Sequence, residues 1–301
     1  MGTTVTVGLM STYFATDFYR VAANIITTGF PLGILAFSAS TQLLIDIYGW
    51  RGAMLLLAGI NFHSVAAASL LKPLTHSTAD NSVYQRVENL ENNEDNNQNV
   101  TCTCINDTCN ASLFKNRPFI IIIIVSFACG YCHNGWVVYL VSITQSQDLS
   151  PNEAVIMATI SGVGAFMIRI ILAIFQGGTS PRLLLCGGSF ITAGAYAGLY
   201  YASSFLTTAV VSCLLGIGLG VVGSQVYVAA NATIEKDQAI NAMAWLHFVL
   251  GIGYIISGYV NGFLFDISGN FRLSLIGLSA ASTFIPITIA AEDLWNIFTR
   301  R

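Results

Sequence analysis

The stretch GVGAFMIRIILAIF, residues 162–175, places one arginine, Arg169, in a run that is otherwise uncharged and apolar. Such a run is typical of a helix that crosses a lipid bilayer, which needs ~20 mostly apolar residues. A cation in that position is unfavourable, by about 2.5–3.5 kcal/mol on insertion scales, and usually has a function or a partner. The stretch therefore raises two questions: how many such helices the chain contains, and what Arg169 does.

The composition of the whole chain is that of a membrane protein. Of its 301 residues, 54% are hydrophobic and 9% are charged, and the mean hydropathy is +0.66. Soluble domains carry about 25% charged residues, so the low charge indicates a membrane protein. The net charge of -3 gives no basis for a nucleic-acid partner. Nucleophile-elbow, phosphate-loop and HExxH motifs are absent from the sequence, so we expect neither an enzyme nor a cofactor.

Apolar runs of transmembrane length recur along the chain and are joined mostly by short polar links. We therefore predict an all-α polytopic membrane protein whose helices pack as a bundle of hairpins. The eight predicted spans are residues 21–45, 52–71, 118–144, 152–176, 180–201, 206–231, 238–264 and 273–291.

One long polar tract, residues 73–117, interrupts this pattern. It contains VENLENNEDNNQNV and has too little apolar surface to pack, so we predict that it is disordered. Its three cysteines, Cys102, Cys104 and Cys109, have no matching histidine, so no metal site is predicted. The tract divides the chain into unequal parts, which suggests a repeat architecture. The predicted parts are a helix remnant at 1–14, two helices at 15–72, the loop at 73–117, six helices at 118–295 and a tail at 296–301.

Lysine and arginine positions predict the orientation in the membrane, because cytoplasmic loops are enriched in these residues. If the long loop is cytoplasmic, nine of them lie inside and two, Arg51 and Arg272, lie outside. The sequons at Asn99, Asn106 and Asn110 favour the opposite orientation, but an asparagine-rich tract produces sequons by chance. We therefore expect a cytoplasmic loop and a cytoplasmic C-terminus. The nine inside residues are Arg20, Lys72, Arg86, Lys115, Arg117, Arg182, Lys236, Arg300 and Arg301.

Arg169 lies roughly 21 Å into its span and shares a helical face with Gly162, Ala165, Ala173 and Gln176. A face of small residues suits a cavity or close helix packing, whereas the opposite, aliphatic face suits lipid. Three interpretations are open. The guanidinium binds an anionic substrate bidentately, which we favour; or it bonds to helix carbonyls; or it reaches the nearby membrane surface.

Four other polar residues in the apolar spans are candidates for the same site. Gln225 and Tyr227 are candidates for lining a cavity, with packing between helices as the alternative. His133 and His247 are candidates for a proton relay, because histidine titrates near physiological pH. Their alternative role is to tie two helices together.

Four short motifs lie at the helix boundaries, in order along the chain. They are Tyr13-Phe14 with Arg20 and GFPLG (29–33), YGWRG (48–52), LFKNRPF (113–119) and DISGNF (266–271). On these motifs the chain resembles the monocarboxylate transporter family of the major facilitator superfamily. The resemblance implies a two-bundle, twelve-helix fold, of which this N-terminally truncated chain holds helices five to twelve and the end of helix four.

The resemblance also implies a function. A family member of this kind moves a small monocarboxylate or related organic solute across the plasma membrane by alternating access. Its partners are a small organic anion or amphipathic solute, the lipid bilayer and a single-span accessory glycoprotein. Arg169 matches the arginine of the family's helix eight, but the aspartate four residues earlier is Ala165 here. Proton coupling through an Asp–Arg pair is therefore not implied. The alternative function is that of a non-transporting binding or regulatory protein.

Overall fold

The apolar runs form long helices in the computed structural model, which describes residues 16–69, 111–147, 149–175, 178–234 and 238–299. A short 3-10 turn, Ala111–Lys115, precedes the third helix, and no strand occurs within these ranges. The helices are α1 (Thr16–Thr27), α2 (Gly29–Ser69), α3 (Arg117–Gln145), α4 (Pro151–Phe175), α5 (Pro181–Tyr201), α6 (Phe205–Thr233), α7 (Ala239–Ser268) and α8 (Arg272–Thr299).

Eight stretches in these ranges are long and apolar enough to cross a membrane, which confirms the predicted all-α polytopic fold. The first, Phe18–Phe37, runs from α1 into α2, and the second, Leu43–Ala66, lies within α2. The other six are helices α3 to α8. The predicted helix remnant at 1–14 and most of the predicted loop, with its cysteines and sequons, lie outside the described residues.

Local sequence signals mark where the helices begin and end. Helix α6 begins with a capping box, in which the Ser204 side chain accepts from the Thr207 backbone N–H and the Thr207 hydroxyl accepts from Ser204. Helix α7 ends at Gly269, whose φ of 67° is accessible to glycine at little cost. Inside α2, Gly49 (φ 67°, ψ 171°) breaks the helical geometry within the YGWRG motif, where a turn is predicted.

Two compact units divide the chain. The larger contains residues 16–40 and 113–299, and the smaller contains residues 41–69 and 111–112 of the described part. The predicted two-helix segment at 15–72 contains residues of both units. In the smaller unit, the Arg51 guanidinium lies 5.0 Å from the centre of the Trp50 ring.

In the larger unit, α1 packs on α4 and α6, α3 packs on α7, and α5 packs between α6 and α8. Helices α4 and α6 approach very closely, since a Cβ built on Gly216 would overlap the Ser161 carbonyl oxygen. Close approach through glycine is common where membrane helices pack. This contact fixes α4, and with it Arg169, against α6.

Charged residues join the ends of α5 and α8. Arg182 Nη1 lies 3.2 Å from a Glu292 carboxylate oxygen and 3.1 Å from an oxygen of Asp293. Glu292 is buried, whereas Asp293 is exposed. The Arg182–Glu292 contact is therefore the one that compensates a buried charge.

Candidate functional site

A cavity of about 450 Å³ lies within the larger unit, and four sequence-predicted site residues line it: Arg169, Tyr227, His133 and His247. Helices α1 and α2 contribute one wall, and α3, α4, α6 and α7 contribute the rest. The full lining is Ile26, Thr27, Gly29, Phe30, Cys129, His133, Arg169, Gly223, Tyr227, His247, Leu250 and Tyr254.

Arg169 is buried, with 2% of its surface exposed, and it lies on the predicted small-residue face of α4. Its Nε and Nη1 atoms have no hydrogen-bond partner among the described residues. The ion pairs found within those residues belong to Arg182, so no described carboxylate lies within 4.0 Å of the Arg169 guanidinium. On the opposite face, Val163 and Ile174 are exposed, as predicted for a surface that meets lipid.

Gly223 leaves the space that the Arg169 head group occupies. A Cβ built on Gly223 would lie 3.0 Å from Arg169 Nη2, 2.9 Å from His133 Cε1 and 3.0 Å from His133 Nε2. The guanidinium and the imidazole are therefore close neighbours that meet over this glycine. The sequence does not predict Gly223 as a site residue, because a glycine in a glycine-rich helix does not differ from its neighbours by pattern.

Ala165, one turn before Arg169, is fully buried in the contact between α4 and α6. A Cβ built on Gly220 would lie 3.1 Å from both the Cα and the carbonyl oxygen of Ala165. The two backbones therefore touch at the position where the related family has an aspartate. Ala165 is therefore enclosed by this helix contact, and position 165 supplies no carboxylate to Arg169.

The hydrogen bonds of His133 define what its ring offers to the cavity. Its Nδ1 lies 3.2 Å from the Cys129 carbonyl oxygen, which can only accept, so Nδ1 carries the hydrogen of the neutral ring. Nε2 is then an acceptor, and it faces the same point over Gly223 as Arg169 Nη2. A hydrogen-bond acceptor thus lies beside the cationic donor.

Tyr227 and His247 form a stacked pair on another wall, with ring centres 5.1 Å apart at an interplanar angle of 21°. His247 Nδ1 donates to the Met243 carbonyl oxygen at 2.9 Å. His247 Nε2 then accepts from the Tyr227 hydroxyl at 3.2 Å. The polar atoms of this pair are engaged with each other, so the pair presents mainly its rings to the cavity.

Gln225 is the one predicted site residue that does not line the cavity. It is completely buried and donates from Nε2 to the Asn24 side-chain oxygen at 3.3 Å. This bond joins α6 to α1, and so it positions the cavity wall that α1 provides. This contact is of the kind given above as the alternative role of Gln225, which is packing between helices.

Aromatic residues on the wall were missed by the sequence analysis. Phe30 lies with its ring centre 6.0 Å from that of His133 and 5.9 Å from that of Trp136. Trp136 is buried and donates from its indole to the Ser161 hydroxyl at 2.8 Å. Tyr254 lies seven residues after His247, on the same face of α7. That spacing is the signal that could have identified Tyr254.

The described residues provide no set of side chains suited to bind a metal ion. No group of three or more His, Cys, Asp or Glu side chains that could hold a metal ion occurs there. The cysteine cluster considered from the sequence lies outside the described residues.

The chain is similar in sequence to known membrane proteins. A family model described as Major Facilitator Superfamily matches residues 1–258. The chain is 21% identical over 278 residues to rat (Rattus norvegicus) monocarboxylate transporter 13, covering 91% of this chain and 59% of that protein. It is 23% identical over 289 residues to mouse (Mus musculus) monocarboxylate transporter 12, covering 89% and 58% respectively. The chain thus spans less than two thirds of the length of these relatives.

A solved structure has the same fold. The E. coli fucose:proton symporter matches with a TM-score of 0.68 at 13% identity, covering 95% of this chain and 72% of the symporter chain. At this identity the match concerns the fold alone.

Proposed function

Because the chain belongs to the Major Facilitator Superfamily, whose members are membrane transporters, we propose that it acts as a solute carrier of the monocarboxylate transporter type. In this proposal a small monocarboxylate or related organic solute crosses the membrane by alternating access of two helical bundles. The similarity to monocarboxylate transporters over about 90% of the chain supports this solute class.

The observation that carries the proposal is the buried, cavity-facing guanidinium of Arg169. Its Nε and one Nη atom lack partners among the described residues, and a buried cation without a carboxylate is costly. A substrate carboxylate would supply two acceptors to the guanidinium fork and neutralise the charge. Tyr227 would line the path beside it, and Gln225 would hold α1 in place through Asn24.

Proton coupling, if present, would not use an Asp–Arg pair in this protein. Ala165 occupies the aspartate position and is sealed against α6. His133 and His247 line the cavity, so we propose them as the groups that would carry a proton. His247 Nε2 is bonded to Tyr227, whereas His133 Nε2 lies beside the Arg169 head group, whose positive charge opposes protonation until a solute carboxylate neutralises it.

The protein is a multi-pass membrane protein, and we propose the plasma membrane as its location. The count of lysine and arginine supports a cytoplasmic central loop and C-terminus. Besides lipid and the organic solute, a single-span accessory glycoprotein is a proposed partner. The alternative of a non-transporting binding protein is not favoured, because the matches run to transporters over most of the chain.

Uptake of labelled monocarboxylates by cells that express the full-length protein tests the proposal. Arg169→Ala should abolish saturable uptake while surface expression is retained. Arg272→Ala is the matched control, because this exposed arginine lies over the Tyr200 ring and does not line the cavity. Undiminished saturable uptake by Arg169→Ala would remove the arginine from the transport site.

A further inference from the structure

We propose that the preferred solute is a monocarboxylate with an aromatic or similarly bulky apolar body, rather than a two- or three-carbon acid. This inference rests on the proposed function, because it assumes that the carboxylate binds Arg169. The inference concerns the body of the solute, which the cavity wall away from Arg169 would contact.

Charge on the cavity wall limits the ligand to one carboxylate. Arg169 is the one permanently charged residue among the described residues that line the cavity, and that lining contains no aspartate or glutamate. A second carboxylate would have no cation to compensate it in an apolar, buried setting. A cationic group on the ligand would have no anionic partner there and would lie near Arg169. The wall therefore fits a solute with a single negative charge.

Most of the remaining wall is aromatic and aliphatic, and its other members are Thr27, Cys129, His133 and two glycines. Phe30, Tyr254 and Leu250 line it, together with the stacked Tyr227–His247 pair. Because the Tyr227 hydroxyl donates to His247 Nε2, neither atom is available as a donor to a hydroxyl-rich solute such as a sugar. Aromatic rings instead favour contact with another ring, in edge or offset-stacked geometry. The body of the solute should therefore be apolar.

The volume of the cavity also exceeds what a short acid needs. About 450 Å³ falls within the range of roughly 300–1,000 Å³ that drug-sized ligands occupy. A three-carbon acid would leave room for several water molecules, each needing about 30 Å³, next to walls that offer them few hydrogen bonds. A larger apolar body would displace this water and bury its own surface.

The test measures ligand-dependent thermal stabilisation of the full-length protein, purified in lipid nanodiscs, over a concentration series. The probes are propionate, 3-phenylpropionate and the uncharged 3-phenylpropanamide. We expect 3-phenylpropionate to bind at least about tenfold more tightly than propionate, and the amide to bind weakly. Phe30→Ala should remove most of the aromatic preference while propionate binding is retained. Phe190→Ala is the matched control, because Phe190 is an exposed phenylalanine of α5 that does not line the cavity.

The outcomes separate this inference from the proposed function. Equal affinities for propionate and 3-phenylpropionate, both lost in Arg169→Gln, would overturn the aromatic preference and leave the anion site in place. Binding of the amide as tight as that of the acid would overturn the anion site itself. If Arg169→Gln does not fold, the comparison of acid and amide on the unmodified protein still decides this point. Arg169→Lys, which keeps the charge but loses the fork, should weaken the acid alone.

Discussion

Replacing Gly223 by alanine should weaken carboxylate binding without unfolding the protein. The added Cβ would lie 2.9–3.0 Å from atoms of His133 and Arg169, whereas ordinary contact begins at 3.4 Å. The two head groups must therefore move by about 0.4–0.5 Å. Both contacts involve the ends of side chains, so they can shift without displacing a helix backbone.

The size of the effect follows from the hydrogen bonds at stake. A hydrogen bond to a charged group contributes about 1.5–3 kcal/mol, and each 1.4 kcal/mol is a factor of ten in affinity. Loss of one of the two bonds of the guanidinium fork should therefore raise the Kd about 10- to 100-fold. The free energy of unfolding should change by less than about 1 kcal/mol, because the ends of two side chains, and no helix backbone, take up the shift.

Alanine substitutions at two other glycines serve as controls for Gly223→Ala. A Cβ on Gly194 meets no atom within 4 Å, so Gly194→Ala should leave binding unchanged and, by helix propensity, should not lower stability. A Cβ on Gly216 meets the backbone of α4, so Gly216→Ala should lower stability strongly. Binding would be measured by the concentration dependence of the thermal midpoint with 3-phenylpropionate. If Gly223→Ala binds as tightly as the unmodified protein and is equally stable, the assigned position of the two head groups is wrong.

Two further predictions test the packing of the larger unit. Ala165→Asp should lower the free energy of unfolding by about 1–3 kcal/mol, because the contact of Ala165 with Gly220 is closed. The substitution should not create proton-coupled uptake. Proton flux that accompanies solute uptake in this variant would contradict the second expectation. Arg182→Gln should lower the thermal midpoint more than Asp293→Asn, because it leaves the buried Glu292 carboxylate without its cation. Equal shifts in thermal unfolding would show that burial of Glu292 has no energetic consequence.

The fold could be predicted from the sequence because lipid imposes a simple rule on it. Every backbone polar group in the hydrocarbon region must be satisfied, so an apolar run of sufficient length becomes a helix whatever its neighbours. The break in α2 at Gly49 was also predictable, because the YGWRG motif around it combines glycine with polar and charged residues. The packing of α1 with the later helices was not, because it depends on a hydrogen bond between Asn24 and Gln225.

Composition alone predicted only the polar members of the site, whereas Tyr254 required the helical spacing from His247. Arg169 and His133 differ from the apolar residues around them, so composition alone marks them as candidates. Phe30 and Tyr254 do not differ from the apolar residues around them, because aromatic residues of membrane helices face lipid as well as cavities. Gln225 shows the converse limit. Its polarity was evident, but the rotation of α6 directs it to Asn24 instead of the cavity.

The aromatic contacts of Trp136 make this residue an intrinsic optical reporter of the site. Its indole lies 5.9 Å from the rings of both His133 and Phe30, two residues of the cavity wall, and it is fixed in place by Ser161. A solute that reorients Phe30 would change the surroundings of the buried fluorophore and hence its emission. Occupancy could then be followed in real time and without a label, in a protein from which the other three tryptophans have been removed.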